Sequence, residues 1–495
     1  MHYLIMGLII IITMILVFER AKYYLHMVQL EGYKTENYKK WLKNNKEKAY
    51  ALVRPEEQVK NPLAFTQRAK RLYGANLFIN LFIMLIIPII YLSLSHIVLI
   101  VFQVILGFLL YRQQADFMII ANSIMVPIEN RINMGFYRSA QEKIKNRKDL
   151  KVIGITGSFG KTSTKFIVET ILKEKFKVLN TPESYNTPMG LSKVINNDLE
   201  DSHEVFIAEM GARQLGEITE LAELCFPSIG ILTSVGPAHI ETFINIDNIM
   251  KTKYELIESL PTDGVAIFNY DNEYIKKLAD KTFKEKILYG FEDVENLDIY
   301  ADDIVVSEKG SSFNLKDREG NSIRCITRLL GKRNIYNILA GACAARILGL
   351  SFEEISKGIS NVAPIPHRLN IIDSGSGVIV IDDTFNSNPI GTKAALEVIS
   401  QFKEGKKIVV TPGMIELGDM EEEANREFGR NMGKVCDYVI LVGKKRTQPI
   451  YDGLIETSFN PQNIFVVSNL DEANVHIGKL AKPKDVVLFE NDLPN

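Results

Sequence analysis

The chain opens on a stretch with almost no polar positions: residues 1–18 read MHYLIMGLIIIITMILVF, and charge begins at Glu19. Apolarity on every side of a helix suits lipid rather than the single buried stripe of a soluble helix. Two similar runs follow, NLFINLFIMLIIPIIYL at 76–92 and HIVLIVFQVILGFLLY at 96–111, parted by the short polar step Ser93–His96. The pattern predicts transmembrane helices at about 2–18, 76–92 and 96–111, the last two forming a hairpin. A hairpin buried in a soluble core is the competing reading. No basic leading region or small-residue cleavage site accompanies the first run, so a retained anchor is expected rather than a removed signal peptide.

Beyond Arg112 the pattern changes twice. Residues 113–148 mix apolar and charged positions at helical spacing and end in KIKNRKDLK, and 113–150 reads as a linker. From Lys151 onward, short β-branched runs alternate with helical periods, which predicts an α/β fold with a mainly parallel sheet. Alternation over 300–327 (YADDIVVSEKGSSFNLKDREGNSIRCIT) predicts an antiparallel β insertion. A chain of 495 residues also exceeds what one core supports, so several domains are expected.

Composition adds little until it is read locally. The net charge of -2 gives no global field that favours nucleic acid. The segment 19–73, however, carries Lys34, Lys39, Lys40, Lys43, Lys46, Lys48, Lys60, Arg68, Lys70 and Arg71, whereas Ser93–His96 carries no Lys or Arg. The positive-inside rule puts that segment, and with it everything after Arg112, on the cytoplasmic side of a multi-pass cell-membrane protein. Binding to anionic headgroups is a second use for it, beside that of a plain solvated loop. The cysteines Cys225, Cys325, Cys343 and Cys436 are too far apart in sequence for a C-x-x-C zinc half-site and read as small buried residues.

The clearest chemistry begins at Lys151–Thr156 (KVIGIT), a strand-like run followed by Gly157-Ser158-Phe159-Gly160-Lys161-Thr162-Ser163-Thr164 and a helical segment. Strand, glycine turn and helix in that order converge backbone N–H groups on phosphate. Lys161 would then reach the terminal phosphates and Thr162 would bind magnesium. Ile155 stands where the strict P-loop pattern has its first glycine, and the form G-x-T-G-x-x-G-K-T fits better.

Segment 154–164 resembles the ATP loop of the Mur ligase family, and later segments match that family in order. They are AEMGA at 208–212, GILTSVGPAHIETF with His239, IMKTKYE with Lys253, GKRNIYNILAG at 331–341, PHRL at 366–369, DDTFNSNP at 382–389 and MIELGDMEEE at 414–423. AEMGA, Asn388-Pro389 and the ELG triplet are most similar to the UDP-N-acetylmuramoyl-tripeptide:D-alanyl-D-alanine branch. The apolar runs predict a transmembrane anchor over 1–112, and the resemblance, which covers about residues 150–490, implies a central P-loop ATPase domain over 151–370 and a Rossmann-like C-terminal domain over 371–495. It implies an ATP-dependent, ADP-forming ligase that activates a carboxylate as an acyl phosphate and couples it to an amino acid or dipeptide amine, in cell-envelope precursor synthesis.

Site roles follow from the same resemblance. Gly157, Ser158, Gly160, Lys161, Thr162 and Ser163 would cradle ATP, Asn334 and Asn337 would meet adenine, Arg368 would clamp the γ-phosphate, and Asp383 would meet ATP or the hinge. Thr162 and Glu209 would hold one Mg²⁺, and His239 with a carbamylated Lys253 a second. Lys161, Lys253, His239 and Arg368 form the catalytic set. Read singly, His239 is an ordinary loop histidine, Asn334 a helix cap, and Pro-His-Arg a linker turn. The general base stays unassigned, because a metal-bound histidine is not free to accept a proton.

Two departures bear on substrate. Residues 1–150 replace the UDP-sugar-gripping domain of that branch, and Glu490-Asn491-Asp492 stands where such ligases run into a Lys-Gly-Ser turn. A lipid-linked acceptor or a growing polymer is therefore expected. The alternatives are a poly-γ-glutamate-type synthetase, a P-loop kinase or nucleotide hydrolase, and a membrane scaffold with a dead ligase domain.

Overall fold

The computed structural model describes residues 2–51, 62–90, 95–182, 185–237, 240–373, 375–385, 388–415 and 417–491. The chain forms two compact units, Met1–Gly135 and Phe136–Asn495.

The first unit is helical: α1 His2–Leu30, α2 Thr35–Asn44, α3 Lys46–Ala49, α4 Gln67–Ile90, α5 His96–Arg112 and the start of α6, Gln114–Lys145. Two helices, α1 and Gln67–Ile86 of α4, have the length and apolarity to cross a membrane. A third span exists if α5 and α6, bent by 73° at their junction, count as one. The first run does not stop at Phe18. α1 continues to Leu30, because Tyr24, Leu25 and Val28 are buried with Tyr38 and Leu42 of α2 and with Leu72 and Met118. The basic segment is thus partly folded rather than a loop. Where α1 meets α5, Gly107 permits close approach: a Cβ there would lie 2.6 Å from the Thr13 hydroxyl. Arg71 and Glu129 form a two-pronged ion pair at 2.6 and 2.8 Å, with Glu129 buried.

Residues 113–150, expected as a linker, run from the first unit into the second. Most of that stretch is α6, a single helix of 32 residues containing Pro127, and its Ala140 and Ile144 are core residues. The apolar-polar spacing outweighed the basic composition of its end.

Nine strands make the first sheet: β1 Lys151–Thr156, β2 Val178–Asn180, β3 Val205–Glu209, β4 Ile229–Leu232, β5 Val265–Asn269, β6 Lys286–Gly290, β7 Ile299–Ser307, β8 Gly310–Asp317 and β9 Ser322–Thr327. Their order is β2-β3-β1-β4-β5-β6-β7-β8-β9. Pairing is parallel as far as β7 and antiparallel across β7, β8 and β9. Residues 300–327 are antiparallel as the alternation implied, yet they extend the main sheet instead of forming a separate layer. β1, β3 and β4 are covered on both faces, which is why they read as unbroken apolar runs.

The second sheet has six strands: β10 Asn370–Asp373, β11 Ile379–Asp383, β12 Lys407–Thr411, β13 Tyr438–Val442, β14 Ile464–Val467 and β15 Val486–Glu490. Their order is β10-β11-β15-β12-β13-β14, with only the β10–β11 pair antiparallel. All four cysteines are buried and free, and burial pushes the Cys225, Cys325, Cys343 and Cys436 thiols up.

Candidate active site

The loop after β1 is stitched to the segment after β4. Ser158 N–H donates to the Ser234 carbonyl at 2.7 Å, Phe159 N–H to the Ser234 hydroxyl at 2.9 Å, and the Thr233 hydroxyl to the Phe159 carbonyl at 2.6 Å. A Cβ on residue 157 would fall 2.1 Å from the Thr233 hydroxyl, so glycine is required there. Gly160 has φ 82° and stands 2.8 Å, by the same measure, from the Asn337 side-chain oxygen. The helix Lys161–Leu172 (α7) starts directly behind it, with its free N–H groups at the loop. Lys161 folds back over the loop and donates to the Gly157 carbonyl at 2.8 Å.

Glu209 ends β3, next to β1, and is 1% exposed. Two donors reach its Oε1 at 3.2 Å, the Thr162 hydroxyl and the Asn186 amide, and the Lys165 ammonium forms an ion pair with Oε2 at 3.2 Å. Lys165 lies one turn beyond Lys161 on α7 and is wholly buried. Lys253, on the helix Ile246–Glu258, is 3% exposed. Burial foremost, and then the charge of Lys161, lower its ammonium pKa to about 7.

Arg368 enters through a strained turn. His367 and Leu369 on either side have φ of 60° and 47°, a region that non-glycine residues occupy at a cost. His367 pairs with Asp382 at 2.8 Å, and Leu369 N–H donates to Asp383 at 3.2 Å. The Arg368 guanidinium donates to the Phe385 carbonyl at 2.9 Å and lies 4.3 Å from the centre of the Phe385 ring. Asp383 is aligned with Glu490 across the parallel strands β11 and β15. Burial pushes its carboxyl up to about 6, against the pull of Arg333 and Arg368.

These side chains face two cavities. One, of about 370 Å³, is walled by loop 157–162, Glu209, Lys253, Arg333 and Arg368. The other, of about 410 Å³, opens on the far side of Gly160 and takes in Asn269, Lys332, Tyr336 and Asn337. The residues expected from sequence therefore divide. Gly157, Ser158, Gly160, Lys161, Thr162, Glu209, Lys253 and Arg368 share the first cavity, and Asn337 lines the second. Asn334 lines neither: its amide donates to the Leu330 carbonyl at 2.9 Å and its oxygen accepts from Asn337. Ser163 is buried on α7, and Asp383 sits beside the arginines rather than in either wall. His239 falls outside the described residues. Lys165, Asn186 and Arg333 have no counterpart among the sequence-based expectations. Lys165 left a trace in the i,i+4 spacing from Lys161, and Arg333 lies within the 331–341 motif.

Residues 155–345 match the Mur ligase middle domain, and residues 367–490 match the Mur ligase, glutamate ligase domain. The UDP-N-acetylmuramoyl-tripeptide–D-alanyl-D-alanine ligase of Mycobacterium leprae is 31% identical over 367 residues, 69% of this chain and 71% of that protein. The chain belongs to the Mur ligase family. The Bacillus subtilis ligase of the same name is 32% identical over 280 residues, 56% of this Mur ligase and 59% of the relative. The match to the Escherichia coli one covers 66% of its length, so each of these two relatives is spanned over less than two thirds. Among solved structures, MurF ligase from Thermotoga maritima in complex with ADP superposes with a TM-score of 0.65 at 27% identity, over 72% of this chain and 80% of that one. MurF from Acinetobacter baumannii gives 0.66 at 25% identity, over 73% and 78%. This Mur ligase thus has the α/β family fold, preceded by the helices of its first unit.

Proposed function

We propose that this Mur ligase spends ATP to activate a carboxylate as an acyl phosphate, which the amine of an amino acid or dipeptide then attacks, releasing ADP and phosphate. The observation that carries the reading is the position of Lys253. A buried lysine, near half-neutral at pH 7, shares one cavity with a phosphate loop, a carboxylate and an arginine. As a carbamate it becomes an anion able to face a cation, and only the neutral amine can capture CO₂.

In this reading Lys161 leaves the Gly157 carbonyl for the terminal phosphates, and the loop N–H groups hold them in line with the carboxylate. Arg368, carried on the turn that leads into the second sheet, adds its charge to the γ-phosphate. Adenosine occupies the second cavity, beside Asn337. Thr162 and Glu209 offer hard oxygens suited to Mg²⁺. Bound there, the ion would offset phosphate charge. His239 and carbamylated Lys253 remain the proposed holders of a second ion.

The relatives' names suggest a muramoyl-peptide carboxylate and D-alanyl-D-alanine as the amine. The apolar helices that precede the family match favour a membrane-resident acceptor, lipid-linked or polymeric, with the ligase domains on the cytoplasmic side. Purified full chain should release ADP quickly only when carboxylate and amine are both present, and faster with a lipid-linked muramoyl peptide than with the soluble UDP form. Equal rates with both acceptors sink the lipid assignment. ATP turnover indifferent to the amine sinks the ligase.

A further inference from the structure

We propose that the first part of α6, over residues 117–131, lies in the plane of the inner leaflet, with a stripe of isoleucines among the acyl chains and basic ends at the headgroups. This rests on the reading of α5 as a membrane span, and concerns only the first unit, which ends at Gly135.

The direction comes from the bend. α5 holds 17 residues, about 25 Å of helix, which is most of a hydrocarbon core of roughly 30 Å. Only Gln113 separates it from α6, and the axis turns there by 73°. A helix turned so far from a spanning one runs along the bilayer surface.

The exposed apolar surface continues across the bend. On α5 it is made by Ile97, Val101, Val104 and Phe108, and on α6 by Ile120, Ile124 and Ile128, which are 46%, 51% and 47% exposed. Spacing by four residues sets these three isoleucines on one face. Another face of α6 is already packed: Met118, Ala121 and Met125 are buried in the core shared with α1, α2 and α4. The roll of the helix is fixed there as well. The Asn122 amide donates to the Tyr33 carbonyl and to the Thr35 hydroxyl, both at 3.0 Å, and Glu129 accepts both bonds from Arg71. The isoleucines therefore cannot rotate into that core. A helix with one packed face carries polar residues on its open face when that face meets water, and this open stripe is apolar.

The depth is shallow. Pro127, exposed beside the stripe, has no N–H to give the Ser123 carbonyl four residues back, and that oxygen then calls for water or a headgroup donor. Arg112 and Arg131 are exposed at the two ends of the segment, where cations meet anionic headgroups. Apolar burial at the boundary of headgroups and acyl chains, with charge at its margins, is the setting of an interfacial helix.

Spin labels on single cysteines test this in the full chain, reconstituted in nanodiscs containing phosphatidylglycerol. The labelled variants are Ile120→Cys, Ile124→Cys and Ile128→Cys, with Ile105→Cys on the exposed face of α5 as the reference for the span. Oxygen, which concentrates in lipid, should collide with all three α6 labels more often than an aqueous nickel chelate does, and to a similar extent at each. Collisions dominated by the chelate on α6 and by oxygen at Ile105→Cys overturn the proposal. A depth that grows steadily from residue 120 to residue 128 marks a helix re-entering the bilayer and overturns it too. Protection from both reagents marks a face covered by the chain itself, and spin–spin broadening that unlabelled chain dilutes away marks a second copy; either result overturns it. Collisions dominated by the chelate at Ile105→Cys overturn the membrane reading itself, a separate outcome.

Discussion

At the scale of single residues, Lys253 and Lys165 show how one side-chain type serves opposite ends in one site. Lys253 is buried, and the pull of Glu255 and Glu217 does not offset burial and the charge of Lys161, so its proton is held weakly. A base with a lowered pKa gains its neutral form as pH rises through about 7, so the amine that captures CO₂ is abundant at pH 8 and scarce at pH 6. Protein exposed to ¹³C-bicarbonate should show a carbamate carbon resonance at pH 8 that fades by pH 6 and is absent in Lys253→Ala. A signal of equal strength at both values contradicts this account. Lys165 is buried against Glu209 and keeps a partner for its charge. Replacing it with methionine strands a buried carboxylate, a loss of about 3–5 kcal/mol in such pairs. Denaturant unfolding in detergent should register that loss, and the double variant Lys165→Met/Glu209→Gln should recover part of it. The loop around Gly157 was legible in sequence because its glycines answer local demands. The Lys165–Glu209 pair was not, since it joins residues from two strand-helix units through their packing.

Elements were legible to different degrees for similar reasons. β1, β3 and β4 betray themselves as unbroken apolar runs, a direct result of being covered on both faces. The continuation of α1 past Phe18 was not legible because Glu19 and Arg20 look like a water boundary, while the helix runs on into a second packed region formed with α2. Distant residues supply that burial, so local polarity could not report it. The helix Phe352–Asn361 is the opposite case, written in its cap: the Ser351 hydroxyl accepts from Glu354 N–H at 3.2 Å, and the Glu354 carboxylate accepts from Ser351 N–H at 2.7 Å. Ser351→Ala should cost about 1 kcal/mol. The midpoint of denaturation should fall with its slope unchanged, and ATP affinity should stay the same, because the cap is remote from both cavities.

For the molecule as a whole, charge around the helices makes a prediction about sidedness. If the lysine-rich α2–α3 region lies in the cytoplasm, Ser95, just before α5, lies on the other face. In intact cells a membrane-impermeant maleimide should label Ser95→Cys and spare Lys43→Cys until the membrane is broken. The reverse pattern would place the ligase domains where ATP is absent. The native cysteines are all buried and give no competing signal in the folded chain.

The place of β15 in the second sheet has a consequence for how the molecule is made. Residues 486–490 insert between β11 and β12, so the strand translated after the other five lies inside their sheet. The nine-stranded sheet, whose strands all precede residue 328, can close while synthesis continues. The six-stranded sheet must wait with a gap in its middle, two unsatisfied edges facing each other across the space that Val486–Glu490 will fill. Until it arrives, Asp383 has no Glu490 beside it, and the nascent chain carries a finished phosphate loop without a finished hinge. The second sheet can close only after Val486–Glu490 has left the ribosome.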